Sequence, residues 1–440
     1  METEKYTLGN GLTVLLRESH RAPVTTFWVW YRVGSRNEVP GITGIAHWAE
    51  HMLFKGSEAF PKGQIDRQIA RNGGVMNGMT WIDFTTFFET LPADRIDLAL
   101  RIESDRMARA LFDPAEVEPE RTVIISERQG AENQPSFLLA EEVVGSAFRV
   151  HPYHHQTIGD MCDLETIGHE QLWAHYQTHY GPNNAIVAAV GDFEGGEMLA
   201  RIEELFGPLP ARSEPPAVYR PEPPQRGERR VNLEGPGTTS YWQAAYHAPA
   251  ATDPDFFPMA ILGTVLSGAP GMNLFSGSPP NRSSRLYRAL VETGLAASVS
   301  GSLAPTLDPY LFRIAATVRA GQAPAEVEAA VDREIERVVE EPISQEALET
   351  AIKQAKAQFA YSSESVTNQG YWLGYSSVVA EAAWFDSFLG NLEGVTAGEV
   401  QRVAAEYLRR SNRTVGHYVG VGPAGGGTAA GGAAPQEGLS

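Results

Sequence analysis

The chain has 440 residues, enough for two to four domains of ordinary size with a sizeable core, which excludes a short peptide scaffold. Apolar residues at 42% and charged residues at 20% exclude a disordered chain or a fibre. Thirty-five basic against 54 acidic side chains leave a formal charge of −19, a field that repels phosphate backbones and anionic headgroups and argues against nucleic acid or a membrane as partner.

The N-terminus, Met-Glu-Thr-Glu-Lys, runs straight into an alternating segment, and no apolar run reaches the roughly 18 residues that span a bilayer. The chain therefore reads as soluble, cytoplasmic, or periplasmic if a signal peptide has been removed. YTLGNGLTVLLRE places a Gly-Asn-Gly turn between two short strands, and the β-branched and aromatic run from Thr25 to Val33 predicts a buried strand. Trp28, Trp30 and Tyr31 in that run belong to the core rather than to a binding cage. From Gly207 to Arg230, seven prolines in 24 residues predict an extended linker.

Beyond the linker a similar order recurs. Strands are expected at Val231 to Leu233 and Ser240 to His247, then helices at Phe256 to Leu266 and Ser284 to Glu292. A strand pair near Ala297 to Leu303 and Leu311 to Val318 precedes long helices at Pro324 to Glu340 and Ser344 to Ser362. The economical reading is a duplicated unit of about 210 residues: a first half at 1–206, a linker at 207–230, a second half at 231–421 and a flexible tail at 422–440. The glycines of that tail lack the strand-turn-helix setting of a phosphate loop.

The sharpest feature is His47-Trp48-Ala49-Glu50-His51, on a stretch with helical periodicity. Residues four apart on a helix share a face, so both imidazoles point the same way and can bind one zinc ion through ring nitrogens. Glu50 projects beside them, placed to take the proton of a water that the metal activates. Such a pattern arises by chance in about two per cent of chains of this composition, so the pair alone is not decisive.

A catalytic zinc needs three protein ligands and one open position, and the single cysteine, Cys162, excludes a multi-cysteine site. The third ligand is sought in EVEPERTVIISERQGAENQ, where Glu120 and Glu127 are seven residues apart, about two helical turns, on one face. One carboxylate can ligate while the other orients a ligand or the water. Glu127 sits beside Ile124 and Ile125, an apolar setting in which an unpaired carboxylate would be costly.

With these residues the chain resembles the pitrilysin/insulinase family of inverted-motif zinc peptidases, which includes the mitochondrial processing peptidases. The resemblance extends over residues 1 to about 420. HWAEHMLFKG matches the family helix, and Glu127, 76 residues after His51, stands at the spacing of its third ligand. The resemblance thus implies one zinc ion per chain held by His47, His51 and Glu127, with Glu50 as general base and Glu120 as the supporting glutamate. NGGVMNGMTWIDFTTFFETLP looks like the family's edge strand, in which Asn77, Gly78 and Met79 would meet the substrate main chain. The fold implied is α+β, two homologous α/β-roll halves, each a mainly antiparallel sheet with helices packed on it, facing each other around a closed chamber. The activity implied is zinc metalloendopeptidase action on peptides added to the sheet edge as an extra strand.

One departure stands out. The family's second half usually supplies an Arg and a Tyr that stabilise the oxyanion, and here those positions read Leu290 or Val291, and Ala297. Arg285, Tyr287 and Arg288 match ordinary positions of the preceding helix. The expectation is a heterodimer in which a homologous partner carries the Arg/Tyr pair. A homodimer, or substitute donors such as Asn281 and Arg282, is the alternative. A non-catalytic scaffold of the same fold is a further alternative, against which the retained His47, Glu50, His51 and Glu127 count. His151, His154 and His155 in HPYHH follow no helix face and read as structural.

Overall fold

A computed structural model of the chain describes residues 3–269 and 282–422. Asn281 and the glycine-rich tail beyond 422 lie outside the described residues. The first half opens with β1 (Glu4–Thr7), β2 (Thr13–Glu18), β3 (Val24–Tyr31), α1 (Ile45–Leu53) and α2 (Gln64–Arg71). The hairpin β4 (Val75–Thr80) and β5 (Thr85–Pro92) follows, then α3 (Asp97–Arg109), α4 (Pro114–Glu132) and α5 (Pro135–Ala147). It closes with α6 (Met161–Leu164), α7 (His169–His179), β6 (Ala185–Gly191) and α8 (Gly195–Phe206).

Residues 207–228 carry neither helix nor strand, as their prolines require. The second half runs β7 (Arg229–Gly235), β8 (Tyr241–Ala248), α9 (Phe256–Ser267), β9 (Ala296–Leu303) and β10 (Tyr310–Val318). Helices α10 (Pro324–Glu340), α11 (Gln345–Ser362), α12 (Val366–Val379), α13 (Ala382–Glu393) and α14 (Ala397–Tyr407) precede the last strand, β11 (Arg413–Gly420). The helix expected at Ser284 to Glu292 is wound as a π-helix over Tyr287–Glu292.

The strands form two sheets, in the orders β1-β2-β6-β3-β5-β4 and β7-β11-β8-β10-β9. Without β1 the two orders coincide, each has one parallel pair, β2 with β6 and β7 with β11, and every other pairing is antiparallel. The halves are therefore duplicates in topology. In both, the strand after the first helix lies at an edge: β4 in one sheet, β9 in the other.

Side chains alternate across a strand, so β3 sends Phe27, Val29 and Tyr31 to one face and Trp28 and Trp30 to the other. All five are buried, because both faces are covered. The first set packs with Ile45, Trp48 and Met52 of α1. The second packs with Tyr371, Trp372 and Tyr375 of α12, a helix of the other half. Two glycines one turn apart make this possible: a Cβ at Gly370 would lie 2.5 Å from the Trp28 ring, and one at Gly374 would lie 1.9 Å from Trp30 Nε1. The exchange is reciprocal. Helix α5 of the first half packs on β7, β8 and β11, and there the room is made by Gly416 in the strand, whose Cβ would meet Val143 at 2.4 Å.

This reciprocal packing corrects the expected chamber between the halves. A continuous core replaces it, with Leu15, Trp28 and Ile186 in one cluster with Trp242, Leu262 and Trp372. Polar contacts tighten the joint at its rim. Buried Asp83 accepts from Tyr153 Oη at 2.6 Å and from the Leu307 N–H at 3.0 Å, Arg36 pairs with Asp308 at 2.6 Å, and Arg17 with Asp386 at 2.6 Å. No helix among the described residues is long and apolar enough to cross a membrane.

Gly374→Ala is expected to cost about 3 kcal/mol or more, since neither the helix backbone nor the tryptophan can yield, whereas Gly390→Ala on α13, whose added Cβ meets nothing within 4 Å, is expected to be neutral or slightly stabilising. Urea unfolding of the two variants measures the contrast. Burial lowers the His179 imidazole to about 4, so the folded chain keeps it neutral below the ordinary histidine value of 6.5. The unfolded state then binds the extra proton, and stability falls as pH drops from 6.5 towards 4. His179→Gln should flatten that decline by up to about 1.4 kcal/mol per pH unit, measured by urea unfolding across the same window.

Candidate metal centre

Helix α1 is set in place before its histidines come into play. Gly44, at φ 86°, turns the chain into the helix where a Cβ would strike the Ile158 carbonyl at 2.6 Å. Buried Glu38 accepts from the N–H groups of Gly44 at 2.8 Å and Ala46 at 2.9 Å, filling two of the donors a helix start leaves open. His155 Nε2 lies 2.8 Å from the same carboxylate. His151 accepts from the Tyr153 N–H at 3.1 Å and approaches Asp308 at 3.1 Å with its other nitrogen. The HPYHH cluster thus acts on structure, bracing α1 and the joint between the halves.

Helix α4 begins at Asp113, whose carboxylate caps the Ala115 N–H at 2.9 Å, with Pro114 in the first turn. It is held against α1 by Arg121, which stacks on Trp48 at 4.8 Å and donates to the Ile167 carbonyl at 2.7 Å. Trp48 lies between His47 and Glu50 in sequence and points into the core, so the ligand face of α1 turns towards α4.

There the side chains converge. His47 Nε2 and His51 Nε2 are 3.2 Å apart, and Glu127 Oε2 is 3.9 Å from the first and 3.7 Å from the second. These three form the metal-competent cluster found among the described residues. Three donors around a tetrahedral zinc at 2.0–2.1 Å lie about 3.3 Å from one another, so the set fits with a small inward movement of Glu127. Glu120 takes the other position. Its carboxylate accepts from His51 Nδ1 at 2.8 Å, which leaves the lone pair on Nε2, facing the cluster. Lys55, one turn beyond His51, pairs with the second oxygen of Glu120.

One expectation is corrected here. Glu127 is not enclosed by Ile124 and Ile125: its side chain is 43% exposed, because Ile124 turns into the core while Glu127 turns outward over the ligand face. The buried carboxylate is Glu120, at 5%.

Electrostatics follow burial. Desolvation and the neighbouring His51 lower His47 to about 3, which keeps it neutral and ready to ligate. Burial also pulls His51 down, but the Glu120 hydrogen bond and the nearby carboxylates outweigh it and raise the ring overall. For Glu120, burial pushes up and the bonds from His51 and Lys55 bring it below the usual range, so it is an anion. Glu50 is buried, which raises its carboxyl, while its Oε2 accepts from Thr80 Oγ1 at 2.7 Å.

Thr80 ties the site to the sheet edge, since it is the last residue of β4. Asn77, Gly78 and Met79 lie on this edge strand, and Asn77 Oδ1 accepts from the Gly78 N–H at 2.9 Å. Gly78 is required by packing: a Cβ would meet the Phe54 ring at 2.7 Å and Phe87 at 2.9 Å. Beneath them Arg106 spans the two rings, 5.3 Å from Phe54 and 4.4 Å from Phe87, and donates to Glu103 at 2.5 Å. The contacts of Lys55, Phe54 and Thr80 are not read from the sequence, although Thr80 lies in the expected edge strand. Lys55 alone carried a signal, its four-residue spacing from His51.

Among the described residues the second half brings no counterpart. The helix equivalent to α1 is α9, which is apolar and buried. Leu290 is buried, Ala297 stands exposed on edge strand β9, and Arg285 approaches Glu334 of α10 at 3.9 Å. Arg282 is exposed.

Comparison with known proteins agrees with this architecture. Residues 13–161 match the family model "Insulinase (Peptidase family M16)", and residues 166–355 match "Peptidase M16 inactive domain". The zinc protease PqqE of Helicobacter pylori is 32% identical over 268 residues, covering 60% of each chain. A probable mitochondrial-processing peptidase subunit beta of Arabidopsis thaliana is 26% identical over 322 residues, which is 72% of this chain. The match spans 60% of the length of each of these two relatives. The crystal structure of a protease from Helicobacter pylori superposes with a TM-score of 0.89 at 26% identity, over 95% of this chain and 99% of that one. With both family models placed in order along the chain and the fold shared throughout, this chain belongs to the pitrilysin/insulinase family of metallopeptidases, peptidase family M16.

Proposed function

We propose that the chain is the zinc-bearing subunit of a heteromeric metalloendopeptidase that cleaves peptides or unfolded segments added as an extra strand along β4. The observation that carries this reading is the convergence of His47, His51 and Glu127 beside Glu50, on a helix that Thr80 fastens to the open edge of the sheet. A zinc ion in such a donor set would supply Lewis acidity, polarising a carbonyl and lowering the pKa of a water to about 7.

The chain's own residues do the rest. Glu120 holds the His51 ring with its Nε2 lone pair outward. Glu50 accepts the proton of the attacking water and returns it to the leaving amine, and burial gives its carboxylate the higher proton affinity that both transfers need. The Gly78 N–H, covered by Asn77 in the free chain, is an outward donor that an incoming peptide engages once Asn77 swings aside.

A partner is inferred from what is missing. Leu290, Val291 and Ala297 donate no side-chain hydrogen bond, and loss of a single oxyanion donor typically costs about 100- to 1000-fold in rate. The relative named a subunit beta supports a heteromer by analogy.

Three outcomes test the reading. Wild-type chain should retain one zinc per chain by elemental analysis, and Glu50→Gln should keep the metal while peptide cleavage falls by roughly 100- to 10,000-fold. Glu120→Ala should weaken zinc binding by about 10- to 100-fold in a competitive chelator titration, with Lys55→Met shifting it in the same direction. Cleavage of an unfolded peptide should rise at least about 100-fold on adding a homologous chain that carries the Arg/Tyr pair, and full activity of the purified chain alone would sink the heteromer.

A further inference from the structure

The second half holds a cavity of about 200 Å³, well away from the metal cluster in sequence and built from different elements. Its walls come from α9 on one side, the end of β9 with the turn at Ala304 and Pro305, strand β10, and helices α11, α12 and α13. Aromatic rings dominate, among them Phe256, Tyr310, Trp372 and Phe388, and among the described residues Trp81 alone comes from the first half.

Three of the polar groups around this space are committed elsewhere, while Ser302 and Arg313 also line it. Thr264 Oγ1 donates to the Ala260 carbonyl at 3.0 Å, the Trp372 indole N–H to the Ser362 carbonyl at 3.1 Å, and the Tyr375 hydroxyl to the Pro305 carbonyl. A cavity of about 200 Å³ whose walls are mostly aromatic and aliphatic suits a small aromatic guest. Small residues help to set its size, since Ala260, Ala304 and Ala355 line it where a larger side chain would take up space.

We propose that this cavity is a binding site for a small apolar molecule of about one or two fused aromatic rings. The guest would touch two groups that also hold the halves together. Tyr375 stacks on Trp30 of the first sheet with centroids 6.2 Å apart, and Trp81, 6.2 Å from Tyr375, follows directly on Thr80 at the end of the edge strand. Occupancy therefore braces the joint and the end of β4. This inference does not depend on the chain being a peptidase.

The test uses the full chain with benzene and indole as probes. Each should bind saturably and raise the melting temperature by roughly 2 °C at saturation, and bromobenzene soaked into crystals should give an anomalous peak within the cavity. Two filling variants, Ala260→Phe on α9 and Ala304→Trp in the turn, should weaken benzene binding at least tenfold while still melting cooperatively. Two variants on separate walls guard against one that fails to fold. Absence of saturable binding to wild type, bromobenzene seated elsewhere, or unchanged affinity in both well-folded variants would overturn the proposal.

Discussion

The packing of α12 across the first sheet is the constraint on which the rest of this molecule depends. Two glycines one turn apart bring the helix backbone down onto Trp28 and Trp30, closer than any side chain would allow. That contact buries the inner face of β3 and merges two sheets into a single core. Because protein interiors are packed as densely as organic crystals, such a joint does not deform gradually. The first sheet becomes a rigid platform, and everything mounted on its other face inherits that rigidity.

The candidate metal centre is mounted there. Helix α1 lies on the face of β3 opposite α12, capped by Glu38 and pinned to α4 through Trp48 and Arg121. Its support is a chain of charges running from Lys55 through Glu120 to His51, with the outer carboxylate, Glu127, left half-exposed. A buried anion that fixes a ring and an exposed one free to move towards a metal divide two tasks between otherwise similar glutamates. The edge strand is supported in the same way, from beneath, by the Phe54 and Phe87 rings and the guanidinium that spans them.

Much of this was legible in the residues. The Thr25 to Val33 run, the proline-rich segment, the helices at Pro324 and Ser344 and the recurrence of element order are written in periodicity and punctuation, which act over a few neighbours. The misreadings share a cause. Glu127 adjoins isoleucines in sequence, but neighbours on a helix point in different directions, and Ile124 takes the core while Glu127 takes the surface. The resemblance implies a chamber between the halves, whereas Gly370, Gly374 and Gly416 carry the reciprocal packing and look in the sequence like any other glycines.

The donor types and their local geometry are set within the chain's own segments: two imidazoles four residues apart on a helix, a glutamate beside them, and two more glutamates on one face of a later helix. Those relations are fixed by the 3.6-residue turn, which needs no knowledge of the fold. Which glutamate faces Nε2 and which holds Nδ1 depends on how the helices meet, since His51 of α1 and Glu120 of α4 are 69 residues apart and Trp48 and Arg121 join the two helices. The tertiary structure also decided that the two halves share a core, because that rests on the absence of two Cβ atoms opposite two tryptophans, a matter of space between elements hundreds of residues apart.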